Sequence, residues 1–346
     1  MKDKYDVIIV GAGPAGLSCA EVLAKGGKSV LVLEKNSEVG PKICAGGITV
    51  KVKEEGLLSL QNVDKTFCSI KLYFSNICRK LNSSDSFVAT INRGKLGKIM
   101  LEKAVRNGAE VKTGTEVKEI KDDSVVANGQ EIKYNYLIGA DGSNSLVRKF
   151  LGLKTKKLFV TLQYTIPQNT QKFEEMECFF DSKLPGGYFW IFPHQDCAIV
   201  GCGYYPKFLK RKRIDLKKHF KEWLKNQQIK TDGLKLESFP INFDYQGYQF
   251  GNKFLIGDAG GFASGLTGEG IYFAMISGRE VAKKIIDPRY NCLRVSKILK
   301  IKKNQEGSSV LSNFLNNLSP NLGLKMTAFF LNYKWFKKKW IKLFLQ

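Results

Sequence analysis

Near the start of the chain the hydrophobic pattern changes period once, and that change predicts the opening elements of the fold. Val7, Ile8, Ile9 and Val10 form an unbroken β-branched run, the pattern of a buried strand. Gly11, Gly13 and Gly16 follow, and beyond them Ala20 and Leu23 share one face of a helix-period segment. A turn at Gly27 leads into a second strand, Ser29 to Leu33. The alternation of strand and helix then recurs. INRGKLGKIMLEKAVRNGAEVKTGTEV reads as a helix beginning near Arg93 followed by a strand. YNYLIGADGSNSLVRKFLG reads as a strand ending in Ala140, Asp141 and Gly142, then a Ser/Asn-capped helix holding Arg148. GNKFLIGDAGGFASGLTGEGIYFAMISGREVAKKI reads as a strand into Gly257 and Asp258, a glycine-rich loop and a long helix. Between the last two lies a run of period 2, in which Tyr188, Trp190 and Phe192 share a strand face and Pro193 ends the run.

The first of these patterns carries chemistry. Gly11 permits a tight turn, Gly13 lets backbone amides approach a pyrophosphate, and Gly16 allows the helix to pack close on the strand. A pyrophosphate then sits at the positive end of the helix. Glu34, at the end of the second strand, can accept both ribose hydroxyls of an adenosine and would repel a 2′-phosphate. No second glycine turn of this kind follows, so a separate nicotinamide domain is not expected. The three strand-to-loop junctions, at Gly11, Asp141 and Asp258, can converge on one long cofactor.

Composition changes the picture in two places. A length of 346 residues, 43% of them hydrophobic, suits two domains or one α/β domain with an insertion. No apolar run reaches the ~18 residues of a membrane span, and no secretory signal precedes the first strand, so a cytoplasmic location is expected. Eight cysteines without a CxxC pair, and only two histidines, argue against a metal site or a disulfide framework. The net charge is +23, carried by 46 lysines and 9 arginines concentrated in residues 207–230 and 297–346. No nucleic-acid module accompanies this charge, which leaves an anionic membrane surface or a phosphate-bearing substrate as partner, or a solvated lysine-rich face. Written as one helix, the tail places Phe329, Tyr333, Phe336, Trp340, Leu343 and Phe344 in one stripe opposite Lys334, Lys338 and Lys342. Such a stripe fits an interfacial anchor peripheral to the inner face of a membrane, and equally a helix packed on its own core or on a second subunit.

Together these blocks resemble the superfamily of FAD-dependent monooxygenases and oxidoreductases that includes para-hydroxybenzoate hydroxylase, geranylgeranyl reductases and flavin halogenases. Within it, GGYFWIFPHQDCAIVGCG is similar to the Tyr-x-Trp-x-Phe-Pro and Gly-x-Gly motifs of geranylgeranyl reductases, and PKICAGGI to their Cys-x-Gly-Gly loop, with Cys44 in the family position. Gly97, Gly265 and Ala45 depart from the acid, proline and glycine common at those places. The resemblance implies an α/β fold, a Rossmann-like FAD-binding domain (residues 1–72, 92–152 and 246–290) with an inserted antiparallel-sheet substrate domain (73–91 and 153–245) and a C-terminal helical segment (291–346). It implies FAD contacts from Gly11, Gly13, Ala15, Gly16, Glu34, Lys35, Cys44, Ala45, Arg93, Asp141, Gly257, Asp258, Gly268, Gly270 and Ile271. The amides at Gly268 to Gly270 would stabilise negative charge on the flavin. Gly46, Gly47, Tyr188, Trp190 and Phe192 would meet an isoprenoid or prenyl-lipid substrate, with Cys44, Tyr188 and Trp190 nearest the chemistry.

The activity so implied is reduction of prenyl carbon–carbon double bonds, with NADPH or ferredoxin as external electron donor. Read from the residues alone, the aromatic face also fits plain core packing, and Cys44 a small buried thiol. A hydroxylase or halogenase on the same fold is the neighbouring expectation, and a non-catalytic membrane-bound flavoprotein the more distant one.

Overall fold

The computed structural model describes the backbone of all residues except 182, 185, 207–213, 319–321 and 345–346, and side chains except also those of 308–318 and 342–344. Two large sheets organise it. The first has eight strands, of which five run parallel in the order Lys253–Leu255, Gln130–Gly139, Lys4–Val10, Val30–Leu33, Glu110–Lys112. The opening strand lies at its centre, with Ile9 between Ile138 and Val32. Because successive side chains alternate, Val7 and Ile9 join the core beneath the helices while Ile8 and Val10 join Leu31, Leu33 and Leu137 on the other face. Helix Pro14–Lys25 returns across the first face and packs on the long helix Ile271–Ile286. Gly278 makes that approach possible: a Cβ there would lie 2.3 Å from the Ala15 carbonyl oxygen.

The second sheet has seven strands in the order Glu237–Asn242, Leu158–Pro167, Cys197–Tyr204, Tyr188–Pro193, Met176–Phe180, Ser69–Phe74, Ile77–Asn82. All neighbours are antiparallel except Met176–Phe180 with Ser69–Phe74, where the two separate chain segments that build the sheet meet. Strand Ser69–Phe74 straddles the boundary expected at 72/73 and belongs whole to this sheet. One face is covered by helix Leu216–Asn226, which buries Leu216, Phe220, Trp223 and Leu224 and exposes Lys217, Lys218, Lys221 and Lys225. The described part of the basic segment 207–230 is thus a solvated amphipathic face; residues 207–213 lie outside the described residues.

The C-terminal stripe is not formed as the periodicity suggests. The chain turns between helices Leu322–Phe330 and Lys334–Phe344, and the turn splits the expected stripe into two faces. Trp340 is buried with Leu324, Ala328 and Leu331 against Ile70, Leu72, Phe74 and Leu81 of the second sheet, and Arg79 Nε donates to the Ala328 carbonyl at 2.8 Å. Phe329, Tyr333 and Trp335 are exposed instead, beside exposed Lys334 and Lys338. The side chains of Lys342, Leu343 and Phe344 lie outside the described residues. Among the described residues no helix is long and apolar enough to cross a membrane.

Candidate active site

A cavity of about 840 Å³ runs from the first glycine turn, between the two sheets, to Trp340 at its far end. Its nucleotide half is built largely from backbone. Gly11 has φ +102°, and a Cβ on it would lie 2.5 Å from the Ala140 oxygen; a Cβ on Gly16 would lie 2.0 Å from the Gly11 oxygen. Gly13 has nothing within 4 Å of where its Cβ would be, which leaves space at the N-terminus of helix Pro14–Lys25, an end without a side-chain cap. Glu34 Oε2 accepts from the Ala12 amide at 2.8 Å, which holds the acid beside that turn.

The other junctions face the same space. Asp141 Oδ2 accepts from Leu146 N at 2.6 Å, while Oδ1 is buried without a partner, and burial raises its pKa. Arg93 Nε is buried without a partner too, on a helix whose N-terminus Asn92 caps by accepting from Gly94 and Lys95 amides. Buried polar atoms of this kind ordinarily meet a hydrogen-bonding group, and with the open space at Gly13 they fit a long dinucleotide. Asp258 Oδ2 pairs with Lys42 Nζ at 2.9 Å.

Two expected residues do not line the cavity. Gly16 serves the packing of helix on strand, and Gly257, with φ +56° and a would-be Cβ 2.8 Å from that of Ala15, seats the loop on the first helix. All other expected site residues line it: Gly11, Gly13, Ala15, Glu34, Lys35, the Cys44–Gly47 loop, Arg93, Asp141, Tyr188, Trp190, Phe192, Asp258, Gly268, Gly270 and Ile271.

The far half is walled by side chains. Tyr188, Trp190 and Phe192 face the cavity in a row, with ring centroids 5.6 and 6.4 Å apart, while Phe189 points the other way and stacks on Trp223 at 4.6 Å. Across the sheet, Trp190 pairs with Gly201 and Tyr188 with Gly203. A Cβ on Gly201 would lie 2.4 Å from the Trp190 ring, and one on Gly203 2.0 Å from the Phe159 ring. The Gly-x-Gly motif therefore lets aromatic rings lie flat over the neighbouring strand. Ile70, Leu72, Met176, Cys178 and Phe180 continue the apolar wall to Trp340.

Two braced loops separate the halves. Cys44 lines the cavity, and behind it His194 donates from Nε2 to the Ala45 carbonyl at 3.0 Å while Nδ1 meets Asp64 Oδ2 at 3.0 Å. On the opposite side, Ser264 Oγ accepts from the Thr267 amide at 3.1 Å and donates to Gln305 at 2.7 Å. Buried Lys302 ties the same loop through the Ala263 carbonyl at 2.9 Å, and Tyr188 donates its hydroxyl to the Thr267 carbonyl. Two site residues lack a counterpart in the sequence reading. His194 directly follows the aromatic motif, and Glu269 lies within the quoted TGEG; burial pushes the Glu269 carboxyl up to about 7. Their signals were a histidine scarce in this chain and an acid among glycines.

The family described as FAD binding domain matches residues 4–289, which makes this a flavoprotein of one dinucleotide fold, with FAD as its resident cofactor. Digeranylgeranylglycerophospholipid reductase of Methanocaldococcus jannaschii is 32% identical over 316 residues, covering 83% of this chain and 78% of that one. The chloroplastic geranylgeranyl diphosphate reductase of Oryza sativa subsp. japonica is 29% identical over 319 residues, covering 84% and 68%. The chain belongs to the geranylgeranyl reductase family of FAD-dependent oxidoreductases. In fold it is similar to a geranylgeranyl bacteriochlorophyll reductase-like protein from Thermoplasma acidophilum, with TM-score 0.80 at 21% identity, covering 99% and 96%. A flavin-dependent brominase shares the fold at TM-score 0.70 and 16% identity, covering 99% and 93%.

Proposed function

We propose that this protein reduces the carbon–carbon double bonds of prenyl chains carried on a lipid. The observation that carries the reading is one continuous cavity, polar and glycine-lined at one end and apolar from Phe192 to Trp340 at the other. Glu34, Arg93, Asp141 and the amides around Gly13 hold FAD, which when bound supplies hydride to an alkene. The chain's own contribution is position and dryness. Tyr188, Trp190 and Phe192 offer flat apolar surface to a prenyl chain, and the braced Cys44 and Glu269 loops fix the space between ligand and cofactor. An unactivated alkene has no oxygen to polarise, so exclusion of water matters more than a hydrogen-bond donor there. Electrons come from an external donor, NADPH or ferredoxin. The protein works in the cytoplasm, and the exposed Phe329, Tyr333 and Trp335 beside Lys334 and Lys338 meet the anionic inner face of the membrane, from which the substrate is drawn.

The test is anaerobic. The flavin is reduced with dithionite, excess reductant is removed, and vesicles containing a digeranylgeranylglyceryl phospholipid are added. Reoxidation that depends on the alkene, with a product two hydrogens heavier per flavin, supports the reading. Reoxidation only when oxygen is admitted, with a hydroxylated product, replaces it with a monooxygenase. Cys44→Ala is expected to keep the flavin and lose most alkene reduction.

A further inference from the structure

Five acidic side chains line the main cavity: Glu34, Glu116, Asp141, Asp258 and Glu269. Four are committed at the nucleotide half. Glu34 accepts from the Ala12 amide, Glu116 pairs with Lys118 at the surface, Asp141 accepts from the Leu146 amide, and Asp258 pairs with Lys42. Glu269 stands apart. It follows the braced loop, immediately before helix Ile271–Ile286, and its Oε1 accepts from Thr49 Oγ1 at 3.3 Å across the cavity wall. Saturating an alkene takes a proton as well as a hydride, and the function proposed above leaves the proton's source open.

We propose that Glu269 is the acid that protonates the alkene, with Thr49 and Lys51 as its positioning residues. The inference rests on the reductase reading. Of the other protic side chains nearby, the Tyr188 hydroxyl donates to the Thr267 carbonyl, Cys44 Sγ accepts from the Gly46 amide, and the Trp190 indole N–H, buried without a partner, is not an acid in water. Burial drives the Tyr188 phenol far up, so it keeps its proton. The charged and titratable groups facing Glu269 are Lys51 after strand Gly47–Thr49, Tyr188 from the aromatic strand and Tyr272 from the following helix. Lys51 lies over the Tyr272 ring at 5.2 Å and attracts the carboxylate, while burial opposes ionisation more strongly. The carboxyl therefore exchanges its proton near neutral pH, as a reusable acid must.

In the step, the Glu269 O–H bond breaks and its proton joins the less substituted alkene carbon, where the π pair forms the new C–H bond. Positive charge develops on the more substituted carbon, which tolerates it better. Hydride with its electron pair, supplied by the reduced cofactor, fills that carbon, and the Glu269 carboxylate regains a proton from water. The alkene thus gains two electrons and two protons, the electron pair being what reduced FAD, when bound, would supply.

The test pairs the wild-type holoprotein with Glu269→Gln. Infrared difference spectra of the protein labelled with ¹³C-glutamate read protonated carboxyls directly. A labelled band titrating near neutral pH in wild type and missing from Glu269→Gln is expected; a wild type whose labelled bands are all gone by mild acidity overturns the inference. Glu269→Gln should retain FAD and its reduction by dithionite, yet slow vesicle-dependent reoxidation by roughly 10²–10⁴-fold. Its residual rate should be flat across neutral pH where the wild-type rate falls with rising pH. A wild type that turns over with an equally fast Glu269→Gln sinks the inference alone. A wild type that never reoxidises with prenyl lipid overturns the proposed function and this acid with it.

Discussion

The two halves of the cavity are made by opposite means. At the nucleotide end the contacts are main-chain amides and single polar atoms, and the decisive residues are glycines whose absent side chains leave room. At the apolar end the surface is side chain throughout, gathered from strands of two chain segments and from the last helix. A site made of backbone tolerates almost no added atoms, because strands and turns cannot yield; a site made of side chains yields by repacking, at a cost set by how well the gap closes. The same substitution size should thus cost very different amounts in the two regions.

The largest contrast is expected at Gly11→Val. Its Cβ would meet the Ala140 backbone in a left-handed conformation, so the purified protein should lack flavin absorbance altogether. At the other end, Trp340→Ala should leave the turn intact and lower stability by about 3–5 kcal/mol in urea denaturation, as expected of a large buried aromatic. Retention of full stability there would mean that the last helix is not part of the wall. Smaller again is Gly203→Ala, which presses on the Phe159 ring for about 1–3 kcal/mol, keeps the flavin and slows alkene reduction; Phe159→Leu in the same chain should restore stability.

The acid between the halves gives a pH signature. The folded Glu269 carboxyl titrates at about 7 against 4.5 when unperturbed, so folding favours its protonated form. Its contribution to stability is full below 4.5 and lost as pH rises through about 7, and Glu269→Gln should abolish that decline, worth roughly a few degrees in Tm. The smallest effect on stability is expected at the exposed face. Phe329→Ser with Trp335→Ser should change Tm by less than a degree or so and yet reduce cosedimentation with anionic vesicles. Unchanged cosedimentation would separate the terminal helices from any membrane role.

The same contrast explains what the sequence made legible. The glycine turn, Glu34 and the Asp141 and Asp258 junctions are local signals, in which a few adjacent residues fix both conformation and chemistry. The aromatic strand was readable by its period of 2, but the purpose of Gly201 and Gly203 was not, because it lies in a cross-strand register. The tail misled for a physical reason: the turn before Lys334 rotates the second helix, so residues that share a stripe on a continuous helix face the core in one case, Trp340, and solvent in another, Phe329. The close approach of helix to strand read at Gly16 is present, whereas the packing of Gly257 on Ala15 carried no local signal, because its partner comes from the first helix. Glu269 stayed hidden because its environment comes from Thr49 and Lys51, over two hundred residues away in the chain.

The fit of the Trp190 ring over Gly201 and of Phe159 over Gly203 makes width in this enzyme a shared property of adjacent strands. Neither partner can drift alone under selection. At 201 the Leu162 carbonyl oxygen, 2.7 Å from where a Cβ would be, keeps glycine in place whatever stands at 190. At 203 a larger residue is acceptable only where 159 has shrunk, and a smaller ring at 159 opens a groove that 203 is free to fill. Among diverging relatives positions 159 and 203 should be inherited and exchanged as a pair, so that a change of prenyl substrate is written in double substitutions and seldom in single ones.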